Sequence, residues 1–72
     1  MIASRTALSA FKLLKLQQVM AITGLARSTV YRYCTEKDFP RPVQLGNRNV
    51  AWVEAEIQEW LEQKIHQRDM AS

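Results

Sequence analysis

The 72-residue chain is short of the residues that build most catalytic and metal sites: it has one cysteine, one histidine, two glycines and two prolines. The single cysteine, Cys34, excludes an internal disulfide, and with no export signal a reducing cytoplasm is the expected compartment. The lone histidine, His66, lies in a charged C-terminal turn, where a surface or helix-capping role is expected. No Cys/His cluster offers a zinc site. No Gly-rich loop resembles a phosphate-binding turn of a nucleotide hydrolase. Glu54, Glu56, Glu59 and Glu62 share one helix without a nucleophilic or basic partner, so they read as a solvated face. No apolar run approaches the roughly 20 residues needed to span a bilayer. Met1-Ile2-Ala3-Ser4-Arg5 is followed by no long apolar region, so a secretory signal is not expected. Repeats and low-complexity runs are absent as well. A chain of this size buries only about 60% of the surface it exposes unfolded, which leaves little room for a deep catalytic pocket. The expectation is a non-enzymatic protein without metal or cofactor.

What is present is a balanced globular composition, 47% hydrophobic and 24% charged. The net charge of +3 is unevenly spread. Residues 1–48 carry eight cations against Glu36 and Asp38, a surplus of +6. Residues 49–72 carry Lys64 and Arg68 against five carboxylates, a deficit of −3. A basic part joined to an acidic helix suggests one face for a polyanion and one turned away from it.

Residues 1–10 show neither helical nor strand period and read as a flexible arm. Arg5 there offers a phosphate contact or simple terminal disorder. A short entry strand is expected at Leu14 to Leu16, with Phe11 or Leu13 packing on the core. Gln17 to Thr23 reads as a helix on the recurrence of Val19, Met20 and Thr23, with Leu16 and Ile22 flanking. Gly24 ends it, since glycine takes the left-handed conformation most readily. Leu25 plugs the gap before a second helix, Arg27 to Lys37. Ala26 is a poor N-cap, so Ser28 or a water is expected to cover part of the exposed N–H groups.

Two short helices joined by a tight glycine turn make a helix-turn-helix, whose second helix enters the DNA major groove. Within that helix Val30, Tyr33 and Cys34 fall on the inward face. Arg27, Ser28, Thr29 and Tyr31 are the candidates for the major groove, and Arg32, Lys37 and Arg41 for phosphates. Pro40 and Pro42 forbid continuation of the helix, and Phe39 anchors the loop. Val43-Gln44-Leu45 and Val50 to Val53, on either side of a Gly-Asn turn, read as a β-hairpin. Arg48 at its tip makes it a wing that reaches the minor groove or backbone. Glu54 to about Gln67 is the last helix, with Ile57, Trp60, Leu61, Lys64 and Ile65 in helical period. Trp52 and Trp60 supply much of the core, and residues 69–72 form a frayed tail. The domain thus spans residues 11–68. Its fold class is mainly α with a small hairpin: a winged helix-turn-helix of three helices and a two-stranded wing.

The run Leu14-Lys15-Leu16, Val19-Met20, Thr23-Gly24-Leu25 and Arg27-Ser28-Thr29-Val30-Tyr31-Arg32 resembles the AlpA family of prophage regulators. Phe39-Pro40, Pro42-Val43, Leu45-Gly46, Arg48, Val50-Ala51-Trp52, Glu54, Glu56-Ile57 and Trp60 extend the resemblance over about Leu13 to Arg68. The family is similar in turn to excisionases and to the DNA-binding head of MerR-like regulators. Two positions depart from it. Ala26 stands where Ser is usual, and Asn47 where Pro is common, which implies a looser wing tip. MerR-like proteins dimerise through a long C-terminal helix. Here that helix is expected to be too short and its apolar face consumed by the core, so the resemblance implies a monomer that binds side by side on repeated DNA sites.

The resemblance implies a sequence-specific double-stranded DNA-binding regulator of a prophage or integrative island, activating an integrase-type gene, acting as an excisionase, or both. Integrase and RNA polymerase are the further partners it suggests. The alternative is a protein-binding module that inhibits or recruits a regulator or integrase through its acidic helix.

Overall fold

A computed structural model describes residues 12–36 and 38–71 of the chain. The order is β1 (Leu13–Leu14), α1 (Leu16–Thr23), α2 (Arg27–Glu36), β2 (Val43–Gly46), β3 (Asn49–Val53) and α3 (Glu54–Ala71). Among the described residues three helices and an antiparallel hairpin make the winged helix-turn-helix expected from the sequence. The expectations for residues 1–10, Phe11 and Lys37 fall outside the described residues.

The sheet has one strand more than the wing. β1 pairs antiparallel with β3, Leu13 opposite Val53 and Leu14 opposite Trp52, giving the order β1-β3-β2. This pairing sets the phase of β1. Leu14 is buried and Leu13 is exposed, so Leu13 does not pack on the core as one of the two sequence alternatives had it. Leu16 opens α1 instead of ending the strand, because Lys15 already stands at the N-cap with extended backbone. Its N–H donates to Gln18 Oε1 at 2.8 Å. This is half a capping box; a lysine side chain has no acceptor with which to complete it.

Gly24 closes α1 with φ +75°, and its N–H donates to the Met20 carbonyl at 2.8 Å. Thr23 ties the turn on both sides: its hydroxyl donates to the Val19 carbonyl at 2.8 Å and accepts from the Leu25 N–H at 3.2 Å. Leu25 packs against the core between the helices, as expected. Ile22, by contrast, points outward.

Leu14, Val19, Val30, Cys34, Phe39, Trp52 and Ile57 form the buried cluster, so β1, all three helices, β3 and the loop after α2 each contribute. Trp52 is fully buried, and its indole N–H donates to the Pro40 carbonyl at 3.0 Å. The Cys34 thiol reaches the same carbonyl at 3.5 Å. Around this cluster Tyr33, Phe39 and Trp60 form an aromatic knot, with Phe39 and Trp60 edge-to-face at 4.8 Å. Tyr33 and Trp60 are therefore only half-buried, each closing the core from its rim.

α3 departs from expectation in length and burial. It continues through Ala71, past Gln67, because Arg68-Asp69-Met70-Ala71 contains no helix breaker. Only Ile57, Trp60 and Leu61 meet the core. Ile65 is 49% exposed and Met70 74% exposed, so the core does not consume the whole apolar face of this helix.

Candidate nucleic-acid interface

α2 presents its N-terminal turn to solvent because Val30 and Cys34, four residues apart, hold its other side in the core. Arg27 and Ser28 are exposed and Thr29 is half-buried. Among the described residues the Ser28 hydroxyl makes no hydrogen bond, so it does not supply the helix cap that Ala26 cannot. Tyr31 is 44% exposed and leans on Trp52, with ring centroids 6.3 Å apart. The core thereby fixes the ring of a surface residue.

The wing is closed by Gly46 opposite Asn49, with Asn47 and Arg48 as the two loop residues. The register shifts between Gln44 and Gly46, which leaves Leu45 as the extra residue of β2. Arg48 has φ +60°, the one left-handed residue besides glycine among those described. Turns that need a positive φ at this position usually fill it with Gly or Asn. The turn falls within Gly46-Asn47-Arg48-Asn49 with Arg48 at its tip, as the sequence suggested.

Folding brings three of the sequence candidates into one groove. Arg27, Tyr31 and Arg48 line a cleft of about 400 Å³ with Lys15, Gln17 and Asn49. Among the described residues three cations and no carboxylate line it. Lys15 Nζ donates to Asn49 Oδ1 at 2.5 Å, joining the start of α1 to the base of the wing. Sequence reading gave Lys15 and Asn49 no role. They are 34 residues apart, and only the β1–β3 pairing makes them neighbours.

The remaining candidates lie elsewhere. Arg32 Nε is 3.9 Å from Glu36 Oε1, and its guanidinium sits 5.8 Å from the centre of the Tyr33 ring. Arg41 lies in a second groove, of about 500 Å³, with Asp38, Glu56, Glu59, Phe39 and Trp60. Among the described residues no cluster of three or more potential metal ligands occurs. No helix there is long and apolar enough to cross a membrane.

A match to the family described as Prophage CP4-57 regulatory protein (AlpA) spans residues 12–65. The chain belongs to the AlpA family. It is 42% identical over 62 residues to the DNA-binding transcriptional activator AlpA of Escherichia coli (strain K12), covering 78% of this chain and 89% of that protein. It is 39% identical over 54 residues to the uncharacterized protein ORF88 of Enterobacteria phage P4, covering 75% of this chain and 61% of the phage protein. No solved structure matches. The AlpA match contains every residue of the cationic groove, from Lys15 to Val50. It stops at Ile65, where α3 has already left the core.

Proposed function

We propose that this AlpA-family chain is a sequence-specific double-stranded DNA-binding regulator of a prophage or integrative element. One observation carries the reading: Arg27 and Tyr31 of the second helix and Arg48 of the wing line one groove that contains no carboxylate. In a winged helix-turn-helix these two elements straddle a strand of duplex DNA, so a carboxylate-free cationic cleft between them suits a phosphodiester backbone. The name of the Escherichia coli relative agrees with this reading. Arg27, Ser28, Thr29 and Tyr31 are the residues for base edges, and Arg48 serves the wing. Arg32 and Arg41 are weaker candidates for phosphate, since each shares its surroundings with carboxylates. Lys37 remains a proposed phosphate contact by its position after α2.

The finer role is transcription activation at an integrase-type promoter, excision, or both, since each draws on the same DNA-binding surface. Selection of duplexes from a random pool, followed by footprinting on the element that carries the gene, tests the reading. With about five phosphates neutralised, log K falls with log salt at a slope near −4 to −5. Salt-insensitive binding, or no enrichment of any duplex, sinks it.

A second reading, a protein-binding module, draws on the groove that combines Asp38, Glu56 and Glu59 with Phe39 and Trp60. Under that reading DNA affinity stays nonspecific, and charge reversal at Glu59 and Glu62 abolishes partner capture while Arg27→Ala does not.

A further inference from the structure

We infer that Lys15 is a DNA-phosphate ligand and that Asn49 is the residue that aims it. The inference rests on the DNA-binding reading and adds to it a seat for one backbone phosphodiester between the start of α1 and the wing.

Lys15 is exposed and its backbone is fixed twice. It follows β1, whose Leu14 pairs with Trp52, and its N–H is held by Gln18 as the cap of α1. Its ammonium donates to Asn49 Oδ1 at 2.5 Å, and no carboxylate lines the cleft to compete for it. An ammonium has three protons, and an amide oxygen engages one of them. Two donors therefore remain for an anion entering the cleft. Arg27 on α2 and Arg48 on the wing line the same cleft, and Tyr31 adds a phenol to its wall. A flexible lysine on an open surface loses side-chain entropy on binding; one already held in place by Asn49 loses less.

Asn49 stands opposite Gly46 and directly follows Arg48, so a contact to its side chain also bears on the turn that carries Arg48. The Lys15–Asn49 bond thus bridges the start of α1 and the wing, which the β1–β3 pairing has already brought together. The predicted chemistry is a phosphodiester held as part of a duplex, with free inorganic phosphate a poor substitute because it lacks the flanking contacts.

The experiment measures binding of the full chain to a duplex it has selected, by fluorescence anisotropy across a salt series, with ethylation interference on the same duplex. The variants are Lys15→Gln, Asn49→Ala, the double variant and Lys64→Gln, which removes one charge from α3 outside the cleft. Lys15 and Asn49 are both exposed, and far-ultraviolet circular dichroism verifies that each variant is folded. Lys15→Gln is expected to lower the salt slope by about 0.9 and to erase interference at one phosphate. Asn49→Ala is expected to keep the slope, weaken binding several-fold, and add nothing once Lys15 is replaced. Millimolar inorganic phosphate is expected to compete no better than equal ionic strength of chloride. A Lys15→Gln slope equal to that of Lys64→Gln, an unchanged interference pattern, additive effects of the two substitutions, or specific competition by free phosphate would each overturn the inference while leaving the DNA reading intact. Failure of the unsubstituted chain to bind any duplex removes both.

Discussion

Trp52 donates its indole N–H to the carbonyl of Pro40 at 3.0 Å, bolting the central strand to the loop that ends the second helix. The tryptophan is fully buried, so its N–H has no water as an alternative partner, while Pro40 is half-buried. Trp52→Phe leaves the carbonyl with only the long thiol contact of Cys34 and removes volume from the core. The expected loss is about 2–4 kcal/mol, chiefly from the incompletely filled site, with a smaller share from the lost hydrogen bond. Urea denaturation checks it, read as a lower midpoint at unchanged slope.

Gly24 is required for its backbone and not for its size. Its φ is +75°, yet a methyl group there would meet nothing within 4 Å. Gly24→Ala is expected to cost about 1–2 kcal/mol through the left-handed conformation alone. Gly24→Asn costs less, since asparagine tolerates that region. Thermal unfolding of the two variants separates this account from a packing clash, which would penalise the larger asparagine more.

Burial lifts the Cys34 thiol above its ordinary value of 9.0, against smaller opposing pulls from its contact with Trp52 and the charge of Arg41. The folded chain therefore keeps this proton to higher pH than the unfolded chain does. Its contribution to stability is complete below pH 9.0 and is lost as pH rises from there through the folded value. Two outcomes follow: Cys34→Ala flattens the alkaline decline of the unfolding midpoint, and iodoacetamide alkylates the native thiol far more slowly than the urea-unfolded one.

Arg48 holds its left-handed backbone at a cost of about 1–2 kcal/mol for a non-glycine residue. Arg48→Gly relieves that strain against a smaller entropic cost in the unfolded chain, and is therefore expected to hold or raise the thermal midpoint while weakening DNA binding across all sequences. Arg48→Ala weakens binding equally but keeps the strain. Arg27→Ala is expected to cost about 1–3 kcal/mol of affinity and to relax preference at one base position. Arg41→Ala, in its acidic groove, changes the salt slope least. Parallel anisotropy titrations on matched and mismatched duplexes distinguish these patterns.

The helix-turn-helix and the wing were legible from local chemistry: a glycine that ends one helix, two prolines that end the next, and a polar turn between apolar runs. What was not legible depended on pairing between distant segments. Whether Leu13 or Leu14 faces inward follows from the register of Leu14 on Trp52, which no window around Leu14 reveals. Lys15 and Asn49 become neighbours through the same register. Ile22 and Ile65 carry the right residue type for a core but fall where no other element covers them. Arg27, Tyr31 and Arg48 were each visible in the sequence; their shared groove was not, because it requires knowing how the wing folds back on the first helix.

All four residues of β2 are exposed, and the strand supplies none of the buried cluster. It is held by its ladder to β3 and by local contacts such as the Gln44 amide on the Gly46 carbonyl at 2.8 Å. Val43 is 40% and Leu45 46% exposed, so substitutions there are expected to cost less stability than substitutions in the buried cluster. None of Val43, Gln44 and Leu45 belongs to the cluster that holds Val30 and Trp52. The outer edge of the wing is thus the part of the sheet whose side chains the buried cluster depends on least.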